Sequence, residues 1–192
     1  MDDSVKAALA KWPNVPDCYG WLGLGARGNW YMRDAAAQAA GPFCDAAITD
    51  PARRAASKGA LLLHDKLIDF IQRNYDSDAQ GHWFFQNGPQ RVYVELEATP
   101  LIWRVGAGPD FAVAAHTGAA ARVQRCLLDE HGRLYLETEL GLGLVHTLDM
   151  VQAADAIEQG LWVPQDVIAQ ELPARCAYVR SPERGQHSLL KK

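Results

Sequence analysis

"HWFFQNGPQRVYVELEATP" (residues 82–100) decides how this chain is read. Asn87-Gly88 lies between two runs in which large apolar residues alternate with polar ones. That is the pattern of two antiparallel strands joined by a short turn. Pro89 has no amide to give to a tight two-residue loop, so the spacing predicts a four-residue connection. Either even length sets the same faces. Trp83, Phe85, Val92, Val94 and Leu96 point one way, into a core. His82, Phe84, Arg91, Tyr93, Glu95 and Glu97 point the other way. That second face mixes aromatic and charged groups, as an amphipathic exterior does and as one wall of a binding cleft also does.

Upstream of the hairpin, Leu63, Leu67, Phe70, Ile71 and Tyr75 recur at three- and four-residue steps. This spacing predicts an amphipathic helix over 63–75, packed on a sheet and stopped by "DSDAQG". Downstream, "LIWRV", "FAVAA", "RVQRCLL", "RLYLETE" and "LGLV" read as further strands between turn signals. A second helix fits 148–159, with Thr147 as its N-cap and Asp149 in the first turn. Residues 1–11 suit a short helix, which "WPNVPD" ends. "DPARRAASKGA" reads as a loop, and "VIAQELPARCAYV" as one last strand or two short ones. The fold class expected is α+β: mainly antiparallel sheet with two or three packed helices. A parallel α/β sheet would need more crossover helices than the chain offers. The organisation expected is an extension over 1–16, one α+β unit over 17–180 with room for two subdomains meeting near 76–82, and a frayed tail over 181–192.

Three motifs imitate known sites. "GLGARG" (Gly23 to Gly28) has dinucleotide-fold spacing, but three large apolar residues follow it and no further βαβ unit appears. It is read as a hairpin turn, with a glycine at positive φ placed at Gly25. "DSDAQG" matches the first half of a calcium loop, yet Asn87 stands where the bidentate carboxylate belongs, and "HWFF" replaces the exiting helix. Glu95/Glu97 and Glu137/Glu139 share strand faces in pairs. With His116 or His146 they would make a metal or acid–base site, unless they mark a solvated face. His64 and His131 read as structural or exposed. "RGNWYMR", "QGHWFFQ" and "HGRLYLE" share one turn grammar: Gly28, Gly81 and Gly132 each take the left-handed conformation at a strand entrance.

The 192 residues are 48% hydrophobic and 22% charged, with formal net charge −4. These are values of a soluble globular domain, and the acidic balance argues against general nucleic-acid binding. The N-terminus lacks a basic region and an apolar core, and no run approaches the roughly 18 apolar residues of a membrane span. Cys18, Cys44, Cys126 and Cys176 lie far apart, which suits reduced thiols in a cytoplasmic protein.

"WPNVPDCYGWLGLGARGNWYMR", "FIQRNY", "GHWFFQNGPQRVYVELEATP" and "LETELGLGL" together resemble an uncharacterised family of proteobacterial proteins of similar length. The resemblance implies a bacterial, cytoplasmic protein and carries over no activity and no catalytic residues. The functional reading is therefore a non-catalytic module that binds a small molecule or a protein partner, with no cofactor, no metal, no nucleic acid and no membrane, and with a homo-oligomer allowed. Its alternative is a metal-dependent or acid–base hydrolase using the strand carboxylates. The binding residues expected are Arg91, Tyr93, His82 and Phe84. Phe84 is placed beside Arg91 to hold the guanidinium by stacking while its donors stay free for a carboxylate or phosphate.

Overall fold

The computed structural model describes residues 1–189 and divides the chain into two compact units. One unit takes in Met1–Gly25, Asn29–Glu97 and the segment from Val179 onward, and the other Ala26–Gly28 and Ala98–Tyr178. The fold is α+β, as the alternation implies. Each unit holds one mixed sheet in which antiparallel pairs predominate.

In the first unit the elements run α1 (Asp3–Lys11), β1 (Cys18–Leu24), β2 (Trp30–Met32), α2 (Ala35–Ala40), α3 (Pro51–Lys58), β3 (Ala60–Leu61), α4 (Asp65–Arg73), β4 (Tyr75–Ser77), β5 (Trp83–Asn87) and β6 (Gln90–Leu96). The sheet order is β3-β2-β1-β6-β5-β4, with β1 parallel to β6. α4 packs on β5, where Phe70 meets Phe85 edge to face at 5.4 Å. It is shorter than its periodicity suggests. His64 caps it by accepting from the Leu67 amide, Leu63 stays outside at 77% exposure, and Tyr75 opens β4. The segment read as a loop holds α3, whose signals are local: Asp50 caps it, Pro51 begins it and Gly59 follows it.

The central hairpin pairs Phe84 with Tyr93, Phe85 with Val92 and Asn87 with Gln90. Its loop is therefore the two residues Gly88-Pro89, not four. Gly88 takes φ +56°, as the first position of a type II′ turn requires, and the proline ring supplies the negative φ of the second. The amide that Pro89 lacks would have had no place in the ladder. The faces fall as expected, but the second is no exterior: Phe84, Tyr93 and Glu95 are all buried.

The second unit continues with β7 (Leu101–Val105), β8 (Val113–Ala115), β9 (Ala120–Ala121), β10 (Val123–Asp129), β11 (Leu134–Thr138), β12 (Gly141–Val145), α5 (Met150–Glu158), β13 (Pro164–Val167) and α6 (Leu172–Arg175). Its sheet order is β13-β10-β11-β12-β7-β8-β9, around a core of Trp103, Leu127, Leu136 and Val145. The Trp103 indole donates to the Leu136 carbonyl at 2.8 Å, so its one polar atom is satisfied inside the core. The cap of the α5 region is His146, not Thr147. Asp149 turns inward to Arg104, at 2.5 and 3.0 Å. The last strand lies earlier than expected, at 164–167, and Leu172–Arg175 form a helix instead, with Pro173 in its first turn. α7 (Pro182–Leu189) returns to the first unit, packing on β6 and β1. The expected frayed tail thus covers α7, and its residues 190–192 lie outside the described residues. Among the described residues no helix is long and apolar enough to cross a membrane.

Arg33, at the end of β2, is 1% exposed. Its Nε donates to the Ser57 carbonyl, Nη1 to the Gly20 carbonyl and Nη2 to the Gly41 carbonyl, at 2.9, 2.9 and 2.7 Å. Lysine cannot direct donors along all these lines. Arg33→Lys is expected to lower stability by at least about 3 kcal/mol in urea titration, within the range for breaking a buried charge network. Gly59 offers a second measure. It sits at φ +82°, and a Cβ there would clash with the Met32 carbonyl oxygen. At Gly88 a Cβ would meet only the Ala8 methyl, at 3.8 Å. Gly88→Ala should cost about 1 kcal/mol, the conformational term alone, and Gly59→Ala clearly more. Equal losses at the two sites would show that the Met32 contact is relieved cheaply.

Candidate functional site

Three hairpins of the chain are built on one plan. In the β4–β5 turn, the Asp78 amide donates to the His82 carbonyl at 2.9 Å and the Gly81 amide donates back to the Asp78 carbonyl at 3.0 Å. In the β10–β11 turn, Asp129, Gly132 and Arg133 repeat both bonds, at 3.1 and 3.0 Å. The β1–β2 turn repeats the first, with the Gly25 amide on the Asn29 carbonyl at 2.9 Å. Gly28, Gly81 and Gly132 all have φ between +72° and +80°, so the shared grammar of these turns is physical. "GLGARG" is thus a hairpin turn. The positive φ falls on Gly28 and not on Gly25, where the constraint is space: a Cβ would meet the Tyr31 ring at 2.9 Å.

The carboxylates of the two aspartates are spent in the same way. Asp78 Oδ1 accepts from the Gln80 and His82 amides at 3.0 and 2.9 Å, and Oδ2 faces His82 Nδ1 and the Tyr93 hydroxyl, each at 3.2 Å. Asp129 Oδ1 accepts from the His131 and Arg133 amides, and Oδ2 from Arg133 Nε and the Tyr135 hydroxyl, at 2.7 and 2.8 Å. Burial alone would raise both acids, but the donors outweigh it and hold both below the usual carboxylate range. The calcium-loop imitation at 76–81 is this clasp. Its recurrence in the second unit marks the clasp as hairpin architecture.

What differs between the hairpins is the cation. Six residues after the first position of each turn stands an aromatic ring: Tyr31, Phe84 or Tyr135. Each ring carries a cation on its face: Lys58 at 4.7 Å, Arg91 at 4.6 Å and Arg133 at 5.9 Å from the ring centre. Lys58 is also ion-paired to Glu97 at 2.8 Å, and Arg133 to Asp129 at 2.7 Å. Among the described residues, no carboxylate within 4 Å pairs with Arg91.

The structure brings the four expected residues together. Tyr93 lies edge to face with His82 at 5.8 Å and with Phe84 at 5.9 Å, and Arg91 covers Phe84. To these it adds Tyr19 of β1, stacked on Tyr93 at 4.6 Å. Between Cys18 and Leu22 the parallel register of β1 against β6 shifts, with four residues spanning what two span on β6. Burial, then the neighbouring phenol and the charges of Asp17 and Asp78, push Tyr19 up to about 12. Tyr93 is raised too, mainly by burial and against a bond to Arg91. Both phenols therefore remain hydroxyl donors at neutral pH. The result is a cluster of aromatic rings edged by one guanidinium and one imidazole. Grooves lined by Trp21, Met32 and Ala60, and by Phe43, Leu96 and Arg184, lie elsewhere on the first unit and include none of these residues.

The carboxylate alternative loses its parts. Glu95 is bound to Ser181, Glu97 to Lys58 and Glu137 to Arg125, while Glu139 lies in a turn and accepts from the Arg122 amide. Among the described residues, no group of three or more His, Cys, Asp or Glu side chains is placed to hold a metal ion. His116 is pushed down to about 3 by burial, so it is neutral, and its Nδ1 accepts from the Ile102 amide. His146, also lowered by burial, caps the turn before α5.

Tyr19 and Asp78 were the members that sequence reasoning missed. Asp78 had a signal, since aspartate stands three residues before the strand-entrance glycine in two of the three turns. Tyr19 had none, because its place depends on the register of a parallel neighbour.

The fold resembles that of two solved structures of DUF1285 family proteins. One, from Silicibacter pomeroyi, has 11% identity and a TM-score of 0.46 over 81% of this chain and 84% of its own. The other, from Shewanella baltica, has 16% identity and a TM-score of 0.41 over 70% of this chain and 91% of its own. No curated protein matches the sequence. The family described as "Protein of unknown function (DUF2946)" matches residues 1–183, nearly the whole length, and the chain belongs to it.

Proposed function

We propose that this protein is a non-catalytic cytoplasmic binding module that takes a carboxylate- or phosphate-bearing small molecule or partner at the Arg91 face. One observation carries the reading. Of three cation-on-ring pairs built on equivalent hairpins, two are closed by a carboxylate and the Arg91–Phe84 pair is not. The Phe84 ring limits the conformations of the guanidinium, so less entropy is lost when its donors meet an anion. The stacked Tyr19 and Tyr93 rings supply an apolar face beside it. Free cysteines, with no disulfide among the described residues, suit a reducing compartment.

The test is a thermal-shift screen of carboxylate- and phosphate-bearing metabolites, followed by titration of any stabilising compound. Arg91→Ala is expected to weaken binding about tenfold or more, the worth of a lost charge-assisted contact, while the melting temperature of the free protein changes little. Binding left intact by Arg91→Ala, or a large loss of stability in that variant, would assign the residue to the scaffold.

A further inference from the structure

The C-terminal helix is fastened to the first unit through a carboxyl group shut off from water. Glu95, on β6, is 1% exposed. Ser181 Oγ lies 2.5 Å from its Oε2, and the Glu183 amide donates to its Oε1 at 3.0 Å. Both partners belong to the N-terminal end of α7. The Glu183 side chain turns to Arg33, 3.3 Å from Nη1. It packs so closely over Gly20 that a Cβ there would come within 2.8 Å of its carboxyl carbon. Backbone bonds hold the chain leading into the helix: Leu96 amide to Arg180 carbonyl at 2.8 Å, and Val179 amide to Gly81 carbonyl at 2.9 Å.

Two carboxyl groups thus meet one guanidinium. α7 presents the negative Glu183 to Glu95, and the end of β2 presents Arg33. The register partner on β1 is Gly23, which carries no charge. Arg33 directs its donors to three carbonyls and to Glu183, and none to Glu95. A protonated Glu95 keeps both contacts: the Ser181 hydroxyl, which otherwise donates to the carboxylate, turns to accept its proton, and its other oxygen accepts the helix amide. An ionised Glu95 leaves a second negative charge beside Glu183 in a dry site.

We propose that Glu95 is a proton-operated latch for α7: protonated, it holds the start of the helix on the sheet, and ionised, it lets the helix go. Burial, with the charge of Glu183 adding to it, raises the docked carboxyl from 4.5 to about 7 against the Ser181 and amide bonds and the charge of Arg33. Once α7 lifts, water reaches Glu95 and its pKa falls back toward 4.5. Release is thereby coupled to proton loss. Docking is fully favoured below that lower value and weakens as the pH rises through 7.

Hydrogen–deuterium exchange of the α7 amides in the full chain tests this, with rates corrected for the intrinsic effect of pH. Protection in the wild type is expected to fall about tenfold or more between pH 5.5 and 8.5. Glu95→Gln, neutral at both values, should keep its protection at both. Equal protection across the range in the wild type, or the same loss in Glu95→Gln, overturns the latch. Should that variant not fold, the carboxyl carbon signal of Glu95 in the wild type decides by NMR. A midpoint near 7 supports the latch, and one below 5 removes it.

Discussion

A single buried guanidinium organises the irregular part of the first unit. Arg33 is taken wholly out of water, a cost that only a complete set of acceptors offsets. Those acceptors come from elements far apart in the chain: Gly20 in the register shift of β1, Gly41 after α2, Ser57 in α3 and Glu183 on α7. α2 and α3 have six and eight residues, too few to persist in water alone. The carbonyls they give to Arg33 tie each of them to the sheet. The same side chain fixes where α7 begins, and so sets the surroundings of Glu95.

The hairpins show the same economy at a smaller scale. An aspartate that accepts two amides of its own turn fixes the loop, and its second oxygen fixes a tyrosine on a neighbouring strand. In the β1–β2 turn the aspartate is absent. Gly25 stands in its place, and Glu97 brings an oxygen within 3.2 Å of where a Cβ would lie. The carboxylate comes from Glu97, just after β6, instead of from the turn, and Lys58 holds it.

What the sequence made legible follows from the range of the forces involved. Alternation over 83–96 determines which side chains share a face, and the observed pairing of Phe84 with Tyr93 keeps those faces. The Arg91–Phe84 stack was legible for the same reason, since it needs only the hairpin. What covers the second face was not, because Tyr19 and α7 arrive from about 70 residues before and 90 after it. The loop length was misjudged on a sound rule wrongly placed: proline forbids a donor only where the ladder needs one. α3 was overlooked although Asp50, Pro51 and Gly59 announce it, because its polar "ARRAASK" shows no apolar stripe.

Arg33 and Arg91, both in the first unit, are held in opposite ways. Arg33 has all three nitrogens directed at oxygens of its own chain, through four hydrogen bonds. Arg91 has the opposite arrangement. Its plane is set by Phe84 and its polar edge adjoins the Tyr93 hydroxyl, while Asp78, which takes that hydroxyl, is also occupied by two amides and an imidazole. Lys58 and Arg133 show that these hairpins readily place a carboxylate beside the cation on the ring. That contrast, more than any motif, is what the proposed role of the Arg91 face rests on.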